Sequence, residues 1–351
     1  MKSVVVDKIA SVAQHNDLAS ELRLSKDIPC EEGVLVAARI LNSKSRYNQL
    51  ELTSGRMATV NQGDVIVGAL GHRKALRGYS GHLPKSLKPG DTIQVLNIGG
   101  VLGVCDSANP DVGAPFDCEV LGTVLSFPYL GERIGVPARA GFSTLEEEPG
   151  IDTKGVPVIA LAGTCMDSGK TAAACAIVSR LRHLGMNVAA CKATGVSLRR
   201  DVLAMEDAGA GTSMIFSDFG IVTTTEKNGR QLTRALLTGH ADQKPDVIIL
   251  ELGDGLLGAY GVGAILNDAE IRDALTAVLL CANDPVSAWG GVELLRKEFQ
   301  IEPALVTGPA TDNEVGVQQI DERTSLPAIN ALVNPVALGD KVADLLQKDS
   351  T

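Results

Sequence analysis

Residues 158–171, VIALAGTCMDSGKT, determine the fold of the second half of the chain. The apolar run at 158–162 predicts a buried strand, and the alanine-rich segment that follows the turn predicts a helix over residues 169–184. A strand, a turn of small residues and a helix in this order predict a phosphate-binding loop, because the backbone amides of the turn and the helix N-terminus can surround an anion.

The side chains of this loop predict how a nucleoside triphosphate and Mg²⁺ would bind. Lys170 would place a positive charge near the β- and γ-phosphates, and Thr171 would place its hydroxyl on Mg²⁺. Thr164 stands where the usual G-x-x-x-x-G-K-[ST] pattern has its first glycine. A strand–helix turn with a chance Gly-Lys-Thr is the alternative. The predicted nucleotide-binding residues of the loop are Gly163, Thr164, Asp167, Ser168, Gly169, Lys170 and Thr171.

Further apolar runs alternate with helical patterns after this loop. We predict strands at residues 187–192, 246–252, 276–282, 303–307 and 327–332, and a helix at 286–299. Continuous apolar runs of this kind are typical of a parallel sheet that helices cover on both faces. The sequence therefore predicts an α/β fold with a doubly wound, mostly parallel sheet.

The first part of the chain has a different pattern. Residues 32–105 contain short strand-like runs between Gly-Asp turns, and QGDVIV at 62–67 is echoed by PGDTIQV at 89–95. This pattern predicts a small β-barrel or sandwich. We divide the chain into a β-rich domain at 1–105, a Pro/Gly-rich connector at 106–155 and a nucleotide-binding α/β domain at 156–351, with a helix over residues 9–24 as an option.

The composition excludes several classes of protein. The 351 residues carry a net charge of −10, are 45% hydrophobic and contain only 3% aromatic residues. The acidic balance argues against binding to duplex DNA or an anionic membrane, and the scarcity of aromatic residues argues against stacking on single-stranded nucleic acid. No apolar run reaches the length of a membrane span, the first run, at residues 3–6, is shorter than the apolar core expected of a signal peptide, and the cysteines form no CxxC pair. We expect a cytoplasmic protein, and the sequence leaves the oligomeric state open, a homodimer included.

The pattern G-T-x-x-x-x-G-K-T at 163–171 resembles the loop of dethiobiotin synthetase and of the cobyrinic acid amidase-type synthetases. Three further features follow in the order of that family, namely KATG at 192–195, VIILELGDG at 247–255 and ALVTGPATDN at 304–313. Leu252 replaces a glycine of the family and Asp254 is an addition, so the loop on the substrate side is expected to differ. The resemblance covers residues 156–335.

This resemblance implies roles for residues outside the loop. Lys192 would meet the substrate and the transferred phosphoryl group, Glu251 would hold Mg²⁺, and Thr307 and Gly308 would contact the nucleotide base. For Asp201 two interpretations stay open. It is either a second carboxylate ligand of Mg²⁺, as an aspartate is in dethiobiotin synthetase, or an N-cap after two arginines.

Together these features favour an ATP- and Mg²⁺-dependent enzyme that acts on a small molecule. We expect a ligase or synthetase that activates a carboxylate or carbamate by phosphoryl transfer, with Lys170 and Lys192 as its catalytic residues. A basic stretch at residues 72–88 is either a solvated loop or a surface for an anionic substrate, with GYSG at 78–81 as a flexible lid.

Three alternatives remain at this stage. SDFG at 217–220 is similar to a phrase in a branch that includes proteins assigned to D-glutamate N-acetylation, which favours an acyltransferase whose loop binds a phosphate-bearing donor. Polynucleotide kinases also join a β-rich front domain to a phosphate-binding loop. A nucleotide switch or metallochaperone would be expected to show an Asn-Lys-x-Asp motif or a cluster of metal donors, and the sequence contains neither.

Overall fold

The computed structural model describes residues 2–129, 131–142, 145 and 150–348. The chain divides into two compact units. Unit 1 comprises Met1–Thr144 with two later segments, Val196–Arg200 and Phe216–Thr223, and unit 2 comprises Leu145–Gly195, Asp201–Ile215 and Thr224–Thr351. Residues 146–149, which belong to the connector predicted at 106–155, lie outside the described residues.

Unit 1 is built from short strands that pair mostly antiparallel. Five of them, β4, β7, β11, β10 and β12, pair in a closed ring, in which only the contact between β7 and β11 is parallel. Closure leaves these five strands with both edges paired. The strands are β1 (Lys2–Val5), β2 (Lys8–Ile9), β3 (Glu21–Ser25), β4 (Leu35–Ile40), β5 (Gln49–Glu51), β6 (Met57–Thr59), β7 (Val65–Leu70), β8 (Arg73–Lys74), β9 (Tyr79–His82), β10 (Thr92–Asn97), β11 (Val101–Ala108), β12 (Asp117–Ser126) and β13 (Val136–Pro137).

The segment predicted as a connector contains one of the central strands of this sheet. Strand β12, ten residues long, pairs with β3, β4, β10 and β13. Gly122 interrupts its apolar pattern, has a φ of 148° and lies where a Cβ would come within 2.4 Å of the carbonyl oxygen of Ser25. The glycine therefore allows two strands to approach closely. In the sequence, the same glycine contributed to the prediction of a connector.

The helix considered for residues 9–24 is also wrong. A short 3-10 helix occupies Ser11–Asn16, and strand β3 follows. Alternate side chains of β3 are buried, so its period is that of a strand.

Buried polar side chains hold the first inserted segment, Val196–Arg200, within unit 1. Glu51 is fully buried, and its carboxylate accepts hydrogen bonds from the backbone N–H groups of Arg199 at 2.8 Å and Arg200 at 2.7 Å. The hydroxyl of Ser11 donates to the same carboxylate. Asn97 donates from Nδ2 to the carbonyl oxygen of Ser197 at 2.7 Å. This segment is thus fixed by hydrogen bonds that burial makes costly to break.

We expect the substitution Glu51→Ala to lower the free energy of unfolding by roughly 2–4 kcal/mol, because the buried hydroxyl of Ser11 and the backbone N–H groups of Arg199 and Arg200 lose their acceptor. Urea unfolding of the full chain measures the change. Glu119→Ala is the matched control, since Glu119 forms an exposed ion pair with Arg39, which should contribute less than about 1 kcal/mol. Equal effects of the two substitutions would contradict the assignment.

Unit 2 contains a six-stranded sheet in which all neighbouring strands are parallel, in the order β16-β15-β17-β14-β18-β19. The chain winds to both sides of β14, the strand that leads into the phosphate-binding loop, so the predicted α/β fold with a parallel sheet is confirmed. The strands are β14 (Val158–Gly163), β15 (Val188–Lys192), β16 (Thr212–Ile215), β17 (Val247–Glu251), β18 (Ala277–Cys281) and β19 (Leu305–Thr307).

Helices connect these strands. They are α1 (Lys170–His183), α2 (Arg200–Asp207), α3 (Glu226–Ala241), α4 (Val262–Leu266), α5 (Ala269–Ala274), α6 (Pro285–Glu298), α7 (Glu314–Thr324) and α8 (Pro335–Lys348). Among the described residues, none of the helices combines the length and the hydropathy that a membrane span requires.

The strand predicted at 327–332 is reduced to a single bridge between Ala328 and Val306. The side-chain oxygen of Asn330 accepts hydrogen bonds from the backbone of Leu332 and Val333, which turns the chain away from the sheet.

His240, near the end of α3, gives unit 2 a dependence on pH. Its ring is fully buried, and burial lowers its pKa from 6.5 to about 4. The unfolded chain therefore binds more protons between these two values, so stability falls as the pH drops from 6.5 toward 4. Above pH 6.5 the ring is neutral in both states and the contribution is constant.

We expect His240→Gln to remove most of this acid sensitivity, which corresponds to roughly 3 kcal/mol across that interval. The measurement is the free energy of unfolding at pH 7 and at pH 4.5, with the exposed His183→Gln as the control. The control should lose stability as steeply as the wild type, and the prediction fails if His240→Gln does so too.

Candidate functional site

The carboxyl ends of five parallel strands bring the predicted site residues of unit 2 to one edge of the sheet. Lys192 pairs in register with Glu251, Gly163 with Cys281, and Cys281 with Thr307. Ligands of doubly wound sheets bind at this edge, because the loops after the strands leave a crevice there. The strand pairing therefore brings together residues that lie far apart in the sequence.

Lys170 lies inside the loop, where phosphate oxygens are expected. Its ammonium donates to the carbonyl oxygen of Cys165 at 2.9 Å, to Ser168 Oγ at 3.2 Å and to the carbonyl oxygen of Asp254 at 2.6 Å. The side chain is only 6% exposed. These three oxygens fix the ammonium inside the loop, at the position where a bound phosphate would be expected to contact it.

Gly163 is the glycine that the loop requires, although it lies one position before the usual one. A Cβ there would come within 2.6 Å of Lys170 Nζ and 2.4 Å of Ser168 Oγ. Thr164 has room for a side chain, and its buried hydroxyl has no hydrogen-bond partner among the described residues. Asp167, also predicted to bind nucleotide, is exposed and has a φ of 57°.

A chain of contacts links the loop to the neighbouring strands. Thr171 donates from Oγ1 to Glu251 Oε2 at 3.1 Å, and the ammonium of Lys192 lies 3.6 Å from Glu251 Oε1 and donates to Asp201. Burial raises the pKa of Glu251 above its ordinary value, while the charge of Lys192 opposes that effect. The charges of Glu251, Lys192 and Asp201 alternate along this chain of contacts, and the neutral hydroxyl of Thr171 ends it at the loop.

Asp201 is not the N-cap of α2, because that helix begins at Arg200. Its carboxylate lies in the first turn, where the helix dipole favours a negative charge, and it accepts from Lys192. Of the two interpretations left open by the sequence, the structure removes the N-cap.

The oxygen donors of this group fit Mg²⁺ that is shared with a nucleotide. No cluster of three or more His, Cys, Asp or Glu side chains suited to a metal ion occurs in the part of the chain that the structure describes. Mg²⁺, however, is usually bound through one or two carboxylates, with water and substrate phosphates completing its shell. The hydroxyl of Thr171 and the carboxylates of Glu251 and Asp201 supply donors of the right chemistry.

The predicted base-binding residues lie beside the loop. Gly308 has a φ of 95°, and a Cβ there would come within 2.3 Å of the carbonyl oxygen of Ser168. Thr307 is fully buried, and its hydroxyl has no partner among the described residues. Gly308 therefore has to be a glycine for this segment to pack against the phosphate-binding loop.

Two residues of the site were missed or left undecided by the sequence. Asn283 follows β18, donates to Cys165 Sγ at 3.1 Å and keeps its buried Oδ1 without a partner among the described residues. Its position just after an apolar strand is the signal that could have found it. Asp254 acts through its backbone carbonyl on Lys170, which no side-chain pattern can reveal.

Comparisons with known proteins do not assign a family. No family model matches the chain, and no curated protein matches it. Solved structures with some similarity include the signal recognition particle receptor FtsY from Elizabethkingia anophelis, with 16% identity over 56% of this chain and 68% of that chain and a TM-score of 0.40. The 54 kDa signal recognition particle protein from Aeropyrum pernix K1, in complex with GDP, has 17% identity over 58% and 51%, with a TM-score of 0.37.

A DUF1611 family protein from Anabaena variabilis has 15% identity over 63% of this chain and 65% of that chain, with a TM-score of 0.42. Scores this low carry no argument about function. The assignment of an α/β P-loop fold rests on the strand order and loop geometry described above, and the resemblance to dethiobiotin synthetase stays a prediction.

We expect Gly163→Ala to displace the ammonium of Lys170 and to weaken the binding of inorganic triphosphate by roughly tenfold or more, since a crowded backbone position forces its neighbours to move. Isothermal calorimetry measures the affinity. Gly290→Ala is the control, because a Cβ at Gly290 meets no atom within 4 Å. Unchanged binding in the first variant would show that the close contact does not matter.

Proposed function

We propose that unit 2 binds ATP with Mg²⁺ and transfers its terminal phosphoryl group to a small acidic acceptor, a carboxylate or a carbamate. The reaction would be of the ligase or synthetase type, in which an acyl phosphate is then attacked by a nucleophile. The observation that carries this proposal is the second lysine, Lys192, held beside the buried carboxylate that contacts the phosphate-binding loop.

The loop accounts for nucleotide binding. Lys170 would exchange its three oxygen partners for β- and γ-phosphate oxygens, and the backbone amides of the loop would donate to the same phosphates. Thr171, Glu251 and Asp201 would hold Mg²⁺, which neutralises charge on the phosphate oxygens when it is bound. A protein that only binds a nucleotide, or that acts as a nucleotide-dependent switch, needs no more than these groups.

Lys192 is not required for nucleotide binding alone. It is 8% exposed, and removing a lysine from water is costly unless anionic groups compensate its charge. Glu251 and Asp201 supply that compensation in the structure. In phosphoryl transfer, negative charge is spread over the oxygens of the moving group, and a fixed cation beside them lowers the barrier.

The proposed transfer would release ADP and leave an acyl phosphate. A carboxylate oxygen of the acceptor forms a bond to the γ-phosphorus, the bond from that phosphorus to the bridging oxygen breaks, and ADP leaves with the electron pair. Lys192 would contact the acceptor and the moving phosphoryl group, and Lys170 would stay with the β- and γ-oxygens. A nucleophile then displaces inorganic phosphate from the acyl phosphate.

ATP is proposed as the nucleotide because the guanine-reading motif Asn-Lys-x-Asp is absent from the sequence. The buried polar atoms of Thr307 and Asn283, without partners among the described residues, support a base-binding role at this end of the site. Calorimetry with ATP and GTP in parallel tests the choice.

The test separates binding from transfer. Hydroxylamine traps any acyl phosphate as a hydroxamate, so a panel of carboxylic acids with ATP, Mg²⁺ and hydroxylamine reports acid activation directly. We expect Lys170→Met to weaken ATP binding by about tenfold or more, and Lys192→Met to lower kcat by about 100-fold while ATP binding changes little. The exposed Lys227→Met is the matched control and should behave as the wild type.

Three outcomes would overturn the proposal. The first is a Lys192→Met variant that forms hydroxamate as fast as the wild type. The second is ATP turnover that requires a polynucleotide, which would indicate a kinase of nucleic acid ends. The third is binding of an acyl-CoA without any turnover of ATP, which would favour the acyltransferase alternative.

A further inference from the structure

Most basic side chains of the stretch at residues 72–88 are exposed, as expected for a solvated segment, but Arg73 is buried and the GYSG motif enters a strand. Tyr79 begins strand β9, which pairs with β8 and β11, and its ring is only 1% exposed. Arg73 is 5% exposed. Gly78 has a φ of 117°, and a Cβ there would come within 2.6 Å of Arg73 Nη2. The glycine is therefore required for the guanidinium to lie where it does.

Arg73 and Tyr79 belong to a compact group of four side chains in unit 1, the tyrosine–cation cluster, formed by Lys44, Tyr47, Arg73 and Tyr79. The guanidinium carbon lies 5.6 Å from the centre of the Tyr47 ring and 5.9 Å from that of Tyr79. The ammonium of Lys44 lies 5.4 Å from the centre of the Tyr79 ring. The two rings meet edge to face at 5.6 Å. Two cations thus flank the same aromatic ring.

Hydrogen bonds hold this cluster together but do not balance its charge. Arg73 Nη1 donates to Tyr47 Oη at 2.9 Å and to the carbonyl oxygen of Leu96. Lys44 Nζ donates to Tyr79 Oη at 2.8 Å and to the carbonyl oxygens of Val112, at 3.1 Å, and Ala114. All these acceptors are neutral.

Neither cation of the cluster has a carboxylate within 4.0 Å among the residues that the structure describes. Arg73 Nε is buried and has no hydrogen-bond partner there. Burial lowers the pKa of Lys44, as expected for an ammonium in poor contact with water. A buried cation without a counter-ion is costly, and an anion that enters would recover part of that cost.

The cluster is accessible from one side. Lys44 and Tyr47 are half-buried, whereas Arg73 and Tyr79 form the interior. Tyr47 has a φ of 50°, a conformation that costs free energy for a residue with a side chain and that is enriched at ligand sites. Solvent therefore reaches Lys44 and Tyr47, and an anion that binds the cluster would first meet these two side chains.

We propose that the tyrosine–cation cluster of unit 1 binds a small carboxylate anion, which accepts a hydrogen bond from Arg73 Nε and pairs with the charges of Arg73 and Lys44. A carboxylate can accept a charge-assisted hydrogen bond from a guanidinium and pair with its charge. Phosphate shares part of this chemistry, so the experiment distinguishes the two. The site is independent of the phosphate-binding loop of unit 2.

The test uses the full chain without nucleotide, with succinate and inorganic phosphate as probes and sodium chloride at matched ionic strength as the blank. We expect succinate to raise Tm by roughly 2–5 °C in a saturable manner, as a ligand that binds only the folded state does. The effect should be lost in Lys44→Met and in Arg73→Met. Arg39→Met, which removes an exposed cation of the same unit, should respond as the wild type.

Lys170→Met separates this site from the phosphate-binding loop. That variant should keep its response to succinate, and it should lose any response to phosphate that belongs to the loop. If Arg73→Met does not fold, the half-buried Lys44→Met decides the question. A wild type that responds to succinate no more than to sodium chloride would overturn the proposal, as would unchanged responses in Lys44→Met or a response to phosphate alone.

Discussion

The burial of Glu251 imposes the main constraint on the edge of the sheet in unit 2. A carboxylate that is 2% exposed is stable in its charged form only if cations or hydrogen-bond donors surround it. The hydroxyl of Thr171 donates a hydrogen bond to Glu251. The ammonium of Lys192 lies beside Glu251 and also pairs with Asp201. Thr171 lies in α1, Lys192 and Glu251 end two neighbouring strands, and Asp201 lies in α2. The interactions that stabilise the charge of Glu251 therefore link these four elements.

Close packing of the backbone is a second constraint at the same edge. Gly253 lies where a Cβ would come within 2.1 Å of the carbonyl oxygen of Thr194, and Gly163 and Gly308 meet similar limits against the phosphate-binding loop. Three loops from different strands therefore approach more closely than residues with side chains allow. This proximity lets the carbonyl of Asp254 reach Lys170. It also explains why the shifted glycine of the loop is compatible with a phosphate site.

The fold of unit 1 is harder to predict from the sequence than that of unit 2, because its strands pair with partners that are distant in the chain. Strand β12 pairs with β4, about 80 residues earlier in the chain, and the segments around Ser197 and Val222 return to this unit after the first strands of unit 2. Short strands with glycines and prolines carry little local signal. The sequence indicated strands between residues 34 and 97, but it could not show that the apparent connector lies at the centre of the sheet.

The sequence by itself determined most local elements of unit 2, namely five of its six strands, the phosphate-binding loop and its Lys170 and Thr171, whereas β16 was missed and the strand predicted at 327–332 is a single bridge. These depend on neighbours in the chain, so spacing and periodicity are sufficient to find them. Only the tertiary structure decided which charges compensate one another. Lys192 lies between Glu251 and Asp201, whereas Arg73 and Lys44 have no carboxylate within 4.0 Å in the described part of the chain. The physical reason is that electrostatic free energy in a protein interior depends on distance and burial, and neither is encoded in the order of residues along the chain.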